Sequence, residues 1–172
     1  MATLVLIKKR RECERRRELF EKKKEHKRFV KDVLESWDKG KTGTLTWDEL
    51  RQWLTSIAQG EPATDDEVKW VMTMATQERS PDYEKVHIQP DNFSAAAEAW
   101  LSYRESKSEI DAIFNKYDTD SSGCLDKAQL KNLLTELNAG DEPLPEELDW
   151  VLQNADVIGD GVINKPELAK AI

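Results

Sequence analysis

The chain has 172 residues, a formal net charge of −8 and 35% charged residues, a length that buries one large core or two small ones. No apolar run approaches the roughly 18 residues of a membrane span. Its two cysteines, Cys13 and Cys124, are too far apart to form a framework, which suits a reducing compartment. The opening Met1 to Ile7 is apolar but short and lacks a cleavage-like site, so no secretory signal is expected. Ala2 stands where N-myristoylation requires glycine.

The mean charge hides a split. Residues 8–28 carry twelve Lys/Arg against five Glu, a net of +7, and residues 29–172 carry fourteen against twenty-nine, a net of −15. The first segment runs through Lys8 to Arg11, Arg15 to Arg17 and Lys22 to Lys24 with glutamates interleaved, and no Pro or Gly precedes Gly40. That pattern predicts a helix, helped by pairs such as Glu18 with Lys22, that continues into the next element. One reading of this arm is a solvated charged helix. The other is docking on an acidic surface: a filament, an anionic membrane, an acidic partner or nucleic acid. Nucleic acid is the least supported, because Phe20 alone stands among the basic residues, with no regular interleaving of aromatics, and no reading motif is visible.

From residue 29 onward the chain aligns with itself at an offset of eighty. Asp38 falls on Asp118, Gly43 on Gly123, Leu45 on Leu125, Gly60 on Gly140, Glu67 on Glu147 and Trp70 on Trp150. Each repeat contains a second loop, starting at Thr76 and Asp156. Before each loop, apolar residues recur at helical spacing: Val30, Val33, Leu34 and Trp37; Val68, Val71, Met72 and Ala75; Ile110, Ile113, Phe114 and Tyr117; Leu148, Val151, Leu152 and Ala155. Thr64 with Glu67, and Ser106 with Glu109, read as capping boxes. Gly60 and Gly140 read as helix stops, followed by Pro62 and by Pro143 with Pro145. The segment from Phe93 to Ser108 reads either as one helix or as a helix broken near Ser102 to Ser106.

The loops differ in what they offer a cation. In the first, Asp38 to Glu49, the candidate ligands are Asp38, Thr42, Thr46, the carbonyl of Thr44 and Glu49, but Gly40 gives no side-chain oxygen at the third position. The second has five extra residues, is interrupted by Pro81 and ends on Asn92, so it is expected to be structural and metal-free. The third, Asp118 to Gln129, places Asp118, Asp120, Ser122 and Asp126 at positions one, three, five and nine. Gly123 stands at the sharp sixth position, Cys124 offers a carbonyl, and Leu125 is an apolar anchor. Six to eight oxygens from one short loop suit a hard cation such as Ca²⁺. The twelfth residue, Gln129, gives only one neutral oxygen. The fourth, Asp156 to Glu167, offers Asp156, Asp160, the carbonyl of Val162, Asn164 and Glu167, with the apolar Ile158 third.

The order of residues in these loops resembles the EF-hand superfamily, in its calmodulin- and centrin-like four-hand form. The resemblance implies an all-α fold of two EF-hand pairs. We read residues 1–28 as the basic helical arm, 29–101 as a first pair with a degenerate second loop, and 102–172 as a second pair. It also implies a short ladder joining the eighth positions, Leu45 to Ile88 and Leu125 to Ile163. The implied ion is Ca²⁺, with Mg²⁺ or no ion as alternatives. The implied role is a regulatory or adaptor protein acting on a protein partner in the cytoplasm, on the cytoskeleton or at a cilium. Met72 and Met74 alone lie in the lobes, so one dedicated target fits better than many. The alternative is a calcium-independent structural subunit docked through its arm. Peripheral membrane contact stays open. Catalysis is not expected: His26 and His87 stand alone, and no phosphate cradle or nucleophile elbow appears. Four tryptophans, Trp37, Trp53, Trp70 and Trp150, are expected at core or flanking positions. Trp47 reads as exposed, because its repeat counterpart is Lys127, and Trp100 either packs on its lobe or faces a partner.

Overall fold

The computed structural model describes residues 2–171, with side-chain environments given for residue 12 and residues 14–171. Seven α-helices account for the described chain: α1 (Ala2–Trp37), α2 (Trp47–Ile57), α3 (Asp65–Thr76), α4 (Phe93–Tyr117), α5 (Lys127–Leu137), α6 (Pro145–Ala155) and α7 (Lys165–Ala171). Two 3₁₀ turns, Tyr83–Lys85 and Pro90–Asn92, interrupt the second loop. The fold is all-α, as the sequence implied.

Arm and first entering helix are one element, because nothing before Gly40 breaks the backbone pattern. Among its described side chains, those that enter the core lie at its end. Val33 is buried, and Phe29, Val30, Leu34 and Trp37 pack against the same core. Residues 14–28 are exposed, including Leu19 and Phe20. Thr46 with Glu49 and Thr64 with Glu67 form complete capping boxes on α2 and α3. Gly60 takes φ +93° and donates its N–H to Thr55 O at 2.9 Å, a turn that only a residue without Cβ adopts cheaply.

The linking segment is α4, unbroken. Ser106 and Glu109 therefore cap nothing: Ser106 lies inside the helix and its hydroxyl donates to Tyr103 O at 3.2 Å. One helix serves both cores. Phe93, Ala96, Trp100 and Tyr103 enter the first, and Ile110, Phe114 and Tyr117 the second. The boundary expected between residues 101 and 102 falls inside this helix, and the change of core lies between Tyr103 and Ile110. Lys107 secures the helix against the first lobe, pairing with Glu61 at 2.8 Å and the buried Glu67 at 2.9 Å. Arg104 and Lys107 together hold the Glu61 carboxyl down at about 2.

Trp100 is fully buried and its indole N–H donates to Leu54 O at 2.9 Å. Trp53 packs between Phe29 and Phe93, and Trp70 against Tyr103. Two expectations for the tryptophans change. Trp150 is 65% exposed, because on α6 it stands out of phase with the inward residues Leu148 and Ala155. Trp47 is half-buried, with the Arg51 guanidinium 5.4 Å above its ring.

The lobes pack on each other. Helix α7 lies against both α4 and α3. Val157 and Ile158 of the fourth loop, with Ala169 of α7, rest on the first core.

Candidate metal centre

Each regular loop starts on an aspartate that folds the backbone around its own carboxylate. Asp38 accepts N–H bonds from Thr42 at 2.9 Å and Gly43 at 2.7 Å. Asp118 accepts from Ser122 and Gly123, both at 3.0 Å. Asp156 accepts from Gly159 at 2.5 Å, Asp160 at 3.2 Å and Gly161 at 3.0 Å. The eighth positions then join the loops in pairs. Leu45 and Ile88 exchange N–H···O bonds of 3.0 and 2.8 Å, and Leu125 and Ile163 bonds of 2.7 and 2.9 Å. The second loop keeps this rung although it keeps no ligand order.

The twelfth residue clips each regular loop to itself, and the three clips differ. Glu49 accepts Lys39 and Gly40 N–H on Oε1, at 2.8 and 3.2 Å, and Thr46 N–H on Oε2 at 2.9 Å. Desolvation would raise its pKa, but bonds from Thr46, Gly40 and Lys39 outweigh it and hold the carboxyl below its usual value. Glu167 accepts Ile158 N–H at 2.8 Å and Asn164 N–H at 3.0 Å. It is fully buried. Burial, reinforced by Asp160 and Asp156, pushes its pKa up to about 7 against the pull of those two N–H bonds. Gln129 accepts Asp126 N–H on its oxygen at 3.0 Å and turns its NH₂ inward, to Thr119 Oγ1 at 3.3 Å and Asp120 Oδ1 at 3.1 Å. An amide donor thus sits against the carboxylate where the fourth loop has an acceptor.

The two loops of the second lobe differ accordingly. Ligand oxygens of Asp156, Asp160 and Glu167 converge to within 4.8 Å of one another. Among the described residues no other group of three acidic, His or Cys side chains does so. In the third loop Asp126 has turned to cap α5, accepting Ala128 and Gln129 N–H at 2.8 Å each, and Ser122 Oγ donates to the Cys124 carbonyl at 2.9 Å. Burial, then the surrounding carboxylates, pushes the Cys124 thiol up to about 11, so it stays protonated at neutral pH. In the first loop Thr42 and Thr44 bond each other at 2.9 Å, and Thr44 also meets His87 Nδ1 at 3.1 Å. Thr46 spends its hydroxyl on Glu49 at 2.9 Å. A hard cation needs several convergent, ionised oxygens. The fourth loop fits that demand best, with Asp156, Asp160 and Glu167 supplying the charge.

Sequence reasoning missed how Gln129 closes its own cage, because spacing shows a missing charge but not an amide aimed at Asp120. It also missed Arg79. From the degenerate loop, Arg79 donates to Val157 O at 2.9 Å and Asp156 O at 2.5 Å in the other lobe. No linear signal marks that contact.

These features define a protein of paired helix-loop-helix hands. Residues 107–172 match the family model for an EF-hand domain pair, and the resemblance to the EF-hand calcium-binding superfamily holds. The chain is 28% identical to human centrin-3 over 153 residues, 89% of this chain and 84% of that protein. It is 28% identical over 148 residues to probable calcium-binding protein CML17 of Arabidopsis thaliana, covering 83% of this chain and 84% of that one. It is 27% identical over 145 residues to Arabidopsis calcium-dependent protein kinase 19, covering 84% of this chain but spanning only 24% of the kinase. No described helix is long and apolar enough to cross a membrane.

Proposed function

We propose that the chain is a calcium-binding regulatory or adaptor protein whose principal site is the fourth loop, with Asp156, Asp160, the Val162 carbonyl, Asn164 and Glu167 as ligands. The observation that carries this reading is the convergence of Asp156, Asp160 and Glu167 around a carboxyl that desolvation and its neighbours leave short of positive charge. A divalent cation there satisfies three carboxylates at once. The third loop (Asp118, Asp120, Ser122, Cys124, Asp126, Gln129) and the first (Asp38, Thr42, Thr44, Glu49) are weaker sites, since Gln129 and the Glu49 clip already satisfy their own cages. We read residues 1–28 as a basic arm and the two lobes as separate EF-hand pairs. The output is binding to one dedicated protein partner rather than catalysis, with the arm on an acidic surface. The likeness to centrin-3 supports a cytoskeletal setting. The match to only a quarter of a kinase gives no support to a kinase activity.

Calorimetry tests the site. Wild-type chain is expected to bind Ca²⁺ with a heat that Asp156→Asn with Glu167→Gln removes. The same heat in that double variant places the site elsewhere. A second reading, a calcium-independent structural subunit, is favoured by the Gln129 amide resting on Asp120. Partner capture that is equal in Ca²⁺ and in chelator selects it.

A further inference from the structure

Arg79 stands in the loop that has lost its ligand pattern, yet it touches the loop that keeps the most. Its guanidinium donates to the carbonyls of Asp156 and Val157. Asp156 is the C-terminal cap of α6, so the cation lies where the helix dipole and the last free carbonyls favour positive charge. No carboxylate lies within ion-pair distance of it among the described residues.

Gly159 forms the other side of the same contact. At its place in the loop the first and third hands carry Lys41 and Ser121, which hold φ of 52° and 55° with ordinary side chains. Gly159 itself holds φ +89°, beyond the range those two residues occupy, so the backbone already favours glycine there. Space favours it too: a Cβ there would lie 2.8 Å from Arg79 Nη1 and 3.1 Å from its Cζ. The third position points the same way. Ile158 is lost to the cage as a ligand, but it packs on the first core beside Val157. Arg79, Gly159 and Ile158 thus form one contact between the lobes, built on the outer side of the loop whose inner side gathers Asp156, Asp160 and Glu167.

We propose that Arg79 is an inter-lobe latch that holds the fourth loop against the first lobe and lowers that loop's affinity for a divalent cation. A fixed positive charge beside the cage repels the ion, and the docked loop resists the adjustment that binding requires. By linkage, an ion that binds better to the undocked loop loosens the lobes. The affinity half of the proposal rests on the calcium reading above, whereas the latch stands without it.

The test uses full-length chains: wild type, Arg79→Gln, Gly159→Ser and the double variant, each also with Asp118→Asn to silence the third loop. Gly159→Ser leaves the first lobe untouched and reaches the contact from the other side, so it guards against an Arg79 variant that merely misfolds. Gly161→Ser, at φ +85° with nothing within 4 Å of an added Cβ, shows what backbone strain alone does to the metal-free scattering. Without metal, small-angle scattering is expected to show a larger radius of gyration in both single variants. Ca²⁺ calorimetry is expected to show about three- to five-fold tighter binding in each, larger at low salt, with the double variant no tighter than either. Unchanged scattering in both single variants overturns the latch. Looser chains with unchanged affinity overturn its coupling to the ion. No Ca²⁺ heat in any chain overturns the calcium reading and the coupling with it, and the metal-free scattering still decides the latch.

Discussion

The two lobes descend from one eighty-residue pattern and have settled on opposite solutions. The first is built by packing. Trp53, Trp70 and Trp100 are buried in it, the aromatic chain Phe29–Trp53–Phe93 crosses it, and its second loop survives as a backbone rung with no ion cage. The second buries no tryptophan and leaves Trp150 exposed, while its loops hold Asp118, Asp120, Asp126, Asp156, Asp160 and Glu167. A lobe whose core is large keeps its shape without a ligand. A lobe that concentrates carboxylates depends on what neutralises them. The difference teaches where a cation matters in this molecule.

The largest expected effect breaks the first lobe alone. Trp100→Ala removes a fully buried indole and the second of two hydrogen bonds to Leu54 O, which should cost about 3–5 kcal/mol. Hydrogen exchange should show the loss around α2, α3 and the first half of α4, with Leu125 and Ile163 still protected. Equal loss of protection in both lobes would mean that α4 transmits all of the damage and that the lobes are one cooperative unit.

The next effect is confined to the second lobe and comes from Glu167. Its folded pKa is about 7 against an ordinary 4.5, so the folded state holds the proton more tightly than the unfolded one. That contribution is complete below about pH 4.5 and is lost as pH rises to about 7. In chelator, second-lobe stability should therefore fall across this window, by up to about 3 kcal/mol. Glu167→Gln should flatten the profile, and Ca²⁺ should reverse the loss at pH 8. Urea unfolding at pH 5 and 8 reads all three. Glu49 holds the same loop position with its carboxyl below its usual value, so Glu49→Gln should leave that profile unchanged.

Much of this contrast was legible in the sequence. The offset of eighty gave the two lobes, the apolar stripes gave the entering helices, and Thr64 with Glu67 gave a helix start, because these are local patterns that the backbone obeys wherever it is placed. The Leu45–Ile88 and Leu125–Ile163 rungs followed from the family resemblance. What escaped depends on neighbours distant in sequence. Ser106 looked like a cap because its spacing to Glu109 is right, but Tyr103 and Ile110 on either side are drawn into two cores and keep the helix continuous. Trp70 and Trp150 are equivalent in sequence, yet Tyr103 of α4 covers only Trp70. Arg79 stood unmarked in the degenerate loop and Ile158 read as a lost ligand, and their roles became visible only once the lobes were seen to touch.

A third change sharpens the comparison inside the second lobe. Gln129→Glu replaces the amide on Asp120 with a carboxylate. It should raise Ca²⁺ affinity at the third loop by about ten-fold, since both a ligand and a charge are restored. The metal-free lobe should lose about 1 kcal/mol from the broken amide bond and the new like-charge contact. Calorimetry with Asp156→Asn, to silence the fourth loop, isolates the effect. Unchanged affinity would show that the turned Asp126, rather than Gln129, keeps this loop from gathering its ligands.

The smallest effect asks whether the lobes also differ at their surfaces. Arg51 and Lys131 are repeat equivalents, and each ties its helix to the acidic stretch that follows: Arg51 to Asp65, and Lys131 to Glu142 at 2.6 Å. All four side chains are substantially exposed, so screening limits each pair to about 0.2–1 kcal/mol. Arg51 also stacks over Trp47, which adds about 0.5 kcal/mol. Alanine at 51 should therefore cost slightly more than alanine at 131 in low salt. The difference should persist at 1 M salt, where the ion pairs fade and the ring contact stays. Denaturation of both variants at the two salt concentrations decides it. A large, salt-sensitive gap would place part of the lobes' difference in surface charge, where the structure gives no reason for it to be.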